Sequence, residues 1–169
     1  MTESVDRRQF LTRLWLGCAG LFVGAGLWTS WDLIKPLTAT GFGGKVRAVS
    51  PDAVPESGVL EIRAARAYLT RDADGEIIAL SEKCTHLGCR VPFCQSSGQF
   101  ECPCHGSNFN RVGEYRAGPA PRGLDRYPIE EENGLLVIDT GSTIEGPSPG
   151  GESIDEPATG GACAEGTHG

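Results

Sequence analysis

Two short stretches hold the residues that can do chemistry: Cys84-Thr85-His86-Leu87-Gly88-Cys89 and, twelve residues further on, Cys102-Pro103-Cys104-His105-Gly106-Ser107. Two of the chain's three histidines and four of its seven cysteines lie in them. The pattern Cys-x-His, fifteen residues, Cys-x-x-His supplies two soft thiolates and two imidazoles. That donor set suits zinc, or an iron-sulfur cluster ligated by two Cys and two His. A structural zinc site usually pairs like with like, whereas each stretch here is mixed, and the further cysteines Cys89 and Cys104 stand where they could bridge the two loops.

These residues resemble the Rieske iron-sulfur proteins, and within them the iron-sulfur subunits of cytochrome bc complexes. The resemblance implies one 2Fe-2S cluster per chain, with Cys84 and Cys102 on one iron and His86 and His105 on the other. It also implies a Cys89–Cys104 disulfide and a hydrogen bond from Ser107 to a bridging sulfide. Gly118-Pro119-Ala120-Pro121 is similar to the family's proline loop, which covers the cluster from a third side. Zinc would explain the four ligands but neither of these extra elements.

The function implied is electron transfer within a quinol-oxidising membrane complex, an oxidoreductase whose cytochrome b and cytochrome c subunits are the partners. His105 would bond the quinol hydroxyl and take a proton with the electron, His86 would be the second exposed ligand, and Leu87 would shield the cluster. The electron would pass to a c-type cytochrome. Imidazoles in place of thiolates raise the potential of such a cluster, which suits an oxidant of quinols. One residue departs from the family pattern: Phe109 stands where high-potential members carry a tyrosine that bonds a ligand sulfur, so a lower potential is expected. The alternatives are the Rieske small subunit of a periplasmic arsenite-oxidase-type molybdenum enzyme, a soluble Rieske ferredoxin, and a zinc module. By resemblance, Gly106 and the Gly-Pro-Ala-Pro loop favour the bc reading over the molybdenum enzyme, and the membrane segment with Cys89 and Cys104 argues against the ferredoxin.

The elements that must position these loops belong to a chain of 169 residues rich in Gly (24) and Pro (11), long enough for one loop-rich β domain. Strand-like runs at 46–49, 59–62, 67–70, 76–80, 99–101, 124–129 and 135–139 alternate with turn signals at Asp72-Ala73-Asp74-Gly75, Ser96-Ser97-Gly98 and Asn133-Gly134. The expected fold is all-β, a small antiparallel domain over residues 45–140, and the resemblance adds a cluster-binding subdomain. All fifteen Lys and Arg lie at or before Arg126, against nine of the twenty-two acids after it, so the net charge of −7 belongs to the C-terminal part. No basic stripe with interleaved aromatics marks a nucleic-acid partner.

Residues 14–34 are expected to be a transmembrane helix, because the eighteen residues 14–31 carry no charge and span about 27 Å as a helix. Trp15, Trp28 and Trp31 sit where interfacial aromatic belts lie, and Arg7, Arg8 and Arg13 put the N-terminus on the cytoplasmic side. The head then faces the periplasm of a bacterial cytoplasmic membrane. Arg7-Arg8 with Phe10-Leu11 in the segment 1–13 resembles a twin-arginine export signal, and Gly17, Gly20 and Gly24 leave room for a partner helix. Residues 35–44 read as a flexible hinge. Residues 141–169 hold eight Gly, three Pro and five acids with no Lys or Arg, and are expected to be disordered. Cys94 is read as a buried thiol, Cys18 as a packing residue, Cys163 as part of the tail, and His168 as a solvated bystander.

Overall fold

The computed structural model of the chain describes residues 6–35 and 43–163, which belong to two units, one N-terminal and one comprising the head. Helix α1 (Arg7–Ile34) is 28 residues long, and none of its residues is buried. It is long and apolar enough to cross a membrane, at about 42 Å for 28 residues. Its two threonines return their hydroxyls to the helix, Thr12 Oγ1 to the Arg8 carbonyl and Thr29 Oγ1 to that of Ala25, which suits an apolar solvent. The helix starts at Arg7, so the arginine pair forms its first turn. The hinge expected over residues 35–44 falls largely on 36–42, outside the described residues.

Among the described residues the head holds eleven short strands: β1 (Lys45–Arg47), β2 (Leu60–Ile62), β3 (Ala67–Arg71), β4 (Ile77–Ser81), β5 (Phe93–Cys94), β6 (Gln99–Glu101), β7 (Asn108–Phe109), β8 (Tyr115–Ala117), β9 (Arg126–Tyr127), β10 (Ile129–Glu132) and β11 (Leu135–Asp139). They form three sheets in the orders β1-β11-β10, β2-β3-β4-β9 and β5-β6-β7-β8, with every pairing antiparallel. Asn133 and Gly134 both take positive φ, 55° and 75°. This matches the expected turn between β10 and β11, because a two-residue type I′ hairpin needs φ > 0 at both positions.

Period two along β3 makes the β2-β3-β4-β9 sheet the middle layer. Ala67 and Leu69 point to one face and pack with Val46, Leu136 and Ile138 of the first sheet. Tyr68 points to the other and packs with Phe100 and Phe109 of the third. Both faces are covered, so β3 reads Ala67-Tyr68-Leu69-Thr70 with all four residues buried. Arg111, at the β7–β8 turn, fastens the layers by donating to Thr70 Oγ1 at 2.9 Å and to the Arg71 carbonyl at 2.6 Å.

Residues 141–163 depart from the expectation of disorder, and they lie along the head. Arg126 pairs with Ile144, Gly123 N–H donates to the Pro147 carbonyl at 2.8 Å, and Glu156 accepts from Arg111 Nη2 at 2.9 Å. Cys94 is buried as expected but carries no free thiol, because it is joined to Cys163 by a disulfide. The sequence estimate weighed apolar burial alone. This segment is held instead by polar groups anchored in the head and by a covalent link that restricts the unfolded chain. His168 lies outside the described residues.

Glu114 is a buried anchor of the same segment. Its Oε1 accepts from Ser153 N–H at 2.8 Å and Ser153 Oγ at 2.6 Å, and its Oε2 from Asn110 Nδ2 at 2.7 Å. Burial on its own raises the Glu114 carboxyl, but the hydrogen bonds from Ser153 and Asn110 outweigh it and hold the group below its ordinary value. A depressed carboxylate contributes stability above its unfolded value and loses it as pH falls through the folded one. Unfolding midpoints of the wild type and Glu114→Gln should therefore differ most above the ordinary glutamate value of about 4.3 and converge as pH falls below it through the depressed folded value.

Candidate metal centre

The two loops of the candidate site close on themselves in the same way. In the first, Cys84 N–H donates to the Cys89 carbonyl at 2.8 Å and Gly88 N–H to the Cys84 carbonyl at 2.9 Å. In the second, Cys102 N–H donates to the Ser107 carbonyl at 2.8 Å and Gly106 N–H to the Cys102 carbonyl at 3.1 Å. Cys84 thus matches Cys102, and Gly88 matches Gly106. Both glycines adopt left-handed backbone, at φ 84° and 73°, the conformation that turns each loop back. The sequence reading gave these glycines no part in turning the loops, although Cys-x-x-x-Gly occurs in both stretches and was the available signal.

This repeat puts the first cysteine of each loop into the core. Cys84 and Cys102 are each 2% exposed, have free thiols and pack among Val91, Phe100 and Phe109. His86 and His105 meet edge to face with ring centroids 5.0 Å apart, His86 half-buried and His105 exposed. Beside them Leu87 is 71% exposed. The structure joins Cys89 to Cys104, so the loops are clamped to each other. The sulfurs of Cys89, Cys102 and Cys104 lie within 4.8 Å of one another.

A third segment closes the site. Ser107 accepts a hydrogen bond from Ala120 N–H at 3.1 Å, and its hydroxyl favours the thiolate of Cys84, where the resemblance implied a bridging sulfide. Thr85 Oγ1 donates to the Arg122 carbonyl at 2.8 Å, and Tyr115 Oη to that of Gly118 at 2.7 Å. A Cβ at Gly118 would stand 2.5 Å from Ser107 Cα, so only glycine lets the Gly-Pro-Ala-Pro segment approach this closely.

Burial pushes the Cys84 thiol up, with the neighbouring Cys102 adding to the rise and the His86 amide and Ser107 opposing it. Two adjacent buried thiols therefore need a cationic centre to hold both as thiolates. Two inward sulfurs and two imidazoles from a pair of disulfide-clamped loops fit a cluster with two thiolate and two imidazole ligands. Phe109 is fully buried in the same apolar cluster as both free thiols. Phe109→Tyr should raise the reduction midpoint by on the order of 50 mV, the one-electron equivalent of a hydrogen bond contributing about 1 kcal/mol. Redox titration checks this, and an unchanged midpoint would contradict it.

The sequence model of the family described as "Rieske [2Fe-2S] domain" matches residues 44–128. The chain is 33% identical over 152 residues to the "Cytochrome b6-f complex iron-sulfur subunit" of Prochlorococcus marinus subsp. pastoris, covering 80% of this chain and 85% of that one. It is 32% identical over 158 residues to the chloroplastic "Cytochrome b6-f complex iron-sulfur subunit" of Volvox carteri, covering 83% and 77%. Among solved structures, the cyanobacterial plasma membrane Rieske protein PetC3 from Synechocystis PCC 6803 aligns with a TM-score of 0.45 at 28% identity, over 55% of this chain and 97% of that one.

Proposed function

We infer the function from one premise: the chain belongs to the Rieske 2Fe-2S domain family. It is the electron-transfer subunit of a quinol-oxidising complex of the cytochrome bc type, and the name borne by its relatives makes the b6-f form the nearest description. The observation that carries this reading is the sorting of donors by exposure, with two free thiols sealed in the core and His105 at the surface beside Leu87.

Cys84 and Cys102 would hold one iron, and His86 and His105 the other. Bound there, the cluster supplies a one-electron acceptor at higher potential than an all-thiolate cluster. His105 presents its outer ring nitrogen to the quinol hydroxyl, accepts that hydrogen bond and holds the proton. Leu87 offers an apolar surface that excludes water from the contact. Ser107 stabilises the Cys84 sulfur, and the Cys89–Cys104 link keeps the two histidines in register.

The partners on this reading are cytochrome b, a c-type cytochrome that takes the electron, and quinol. Helix α1 anchors the chain in a bacterial cytoplasmic membrane, and Arg7, Arg8 and Arg13 favour a cytoplasmic N-terminus. A head outside that membrane agrees with two disulfides, which persist in oxidising compartments. The names of the relatives favour this complex over an arsenite-oxidase-type molybdenum enzyme.

Affinity purification of the tagged full-length chain from its own membranes tests the assignment. A b-type and a c-type cytochrome should co-purify, and added quinol should produce the electron paramagnetic resonance signal of the reduced cluster. A large molybdenum subunit in place of cytochrome b would overturn it.

A further inference from the structure

We propose that residues 141–163 form a redox latch, closed over the β5-β6-β7-β8 sheet by the Cys94–Cys163 disulfide and released when a dithiol reduces that bond. The segment attaches at successive points that the metal centre does not use. Ser153 bonds Glu114, Glu156 bonds Arg111, and Thr159 N–H donates to the Ser97 carbonyl at 3.0 Å. Gln99 Nε2 reaches the Glu156 carbonyl at 2.9 Å, and the disulfide to Cys94 closes the end.

Apart from the disulfide, this strap is fastened by polar contact. No residue from 141 to 163 is buried, so apolar burial contributes little to holding it. Between Glu156 and Cys163 it bridges a cavity of about 320 Å³ lined by Gln99, Asn108 and Arg116 on the sheet side and by Pro157 and Ala162 on its own. The ion pair joins a Glu156 carboxylate that is 43% exposed to an Arg111 side chain that is 12% exposed, so solvent screens it only on the Glu156 side. The covalent link closes 69 residues of chain and is the strongest fastening the strap has.

The position of the latch gives it a consequence. Cys163 N–H donates to Glu101 at 2.7 Å, and Glu101 precedes Cys102 at the end of β6. The closed strap therefore lies against the strand that delivers one of the two core thiols. Release follows thiol-disulfide exchange. A dithiol's thiolate attacks the exposed Cys163 sulfur, forming a mixed disulfide, and Cys94 leaves as a thiolate that takes up a proton. The second thiol of the reductant then displaces Cys163, so two electrons and two protons pass from the dithiol, which ends as a disulfide.

The test uses the full-length protein in detergent, wild type and Cys163→Ser, digested with a glutamate-specific protease, quenched, fully reduced and weighed by mass spectrometry. Cleavage after Glu152 and Glu156 should be at least threefold faster in Cys163→Ser, and Cys94→Ser should reproduce the gain. Without reductant, Cys94 and Cys163 of the wild type should resist alkylation, and both should be labelled after dithiothreitol. A ratio under threefold, or labelling of either cysteine before reduction, overturns the latch. The cluster signal of each sample, read in parallel, keeps this outcome separate from the assignment of the metal centre.

Discussion

Four cysteines crowd two loops, and the site depends on which of them are joined. Cys89 and Cys104 form a bond, while Cys84 and Cys102 stay free, although the Cys102 sulfur lies within 4.8 Å of both joined sulfurs. Backbone geometry does the sorting. The free pair occupies the equivalent first position of each loop, pointing into an apolar cluster with Phe100 and Phe109. The joined pair occupies unequal positions, third in one loop and last in the other, where Cys104 is exposed and Cys89 half-buried. The joined sulfurs lock the two loops to each other, and the core sulfurs keep their thiols.

The loops could not hold that geometry without a platform. The middle sheet provides it by burying both faces, with Leu69 toward one neighbour and Tyr68 and Leu80 toward the other. Polar side chains then fix what packing leaves free. Arg111 ties the cluster-bearing sheet to Thr70 and Arg71, and Asn110 and Glu114 close the β7–β8 turn around each other at 2.7 and 2.8 Å. Buried polar groups satisfied in this way specify one arrangement more strictly than apolar contact does.

Much of the site was legible in the sequence because metal ligands and turn glycines are few and their spacing is rigid. Cys84, His86, Cys102 and His105 could be singled out by type and interval alone, and the Asn133-Gly134 and Asp72–Gly75 turns by their residues. The strands β5, β7 and β8 escaped notice since two or three residues are too short to show a period, and β10 since Glu130-Glu131-Glu132 hides its alternation. The C-terminal segment was misjudged for a different reason. Its partners Arg111, Glu114 and Cys94 lie 39 to 69 residues away in sequence, and composition records nothing of such distant polar contacts.

The central claim is that His86 and His105 ligate one iron while Cys84 and Cys102 ligate the other. Pulsed electron paramagnetic resonance of the reduced protein, grown with nitrogen-15 histidine, measures it most directly. The account predicts two strongly coupled nitrogens of comparable strength in the labelled wild type. A spectrum with one coupled nitrogen or none, or the absence of a paramagnetic cluster in the reduced protein, would contradict it.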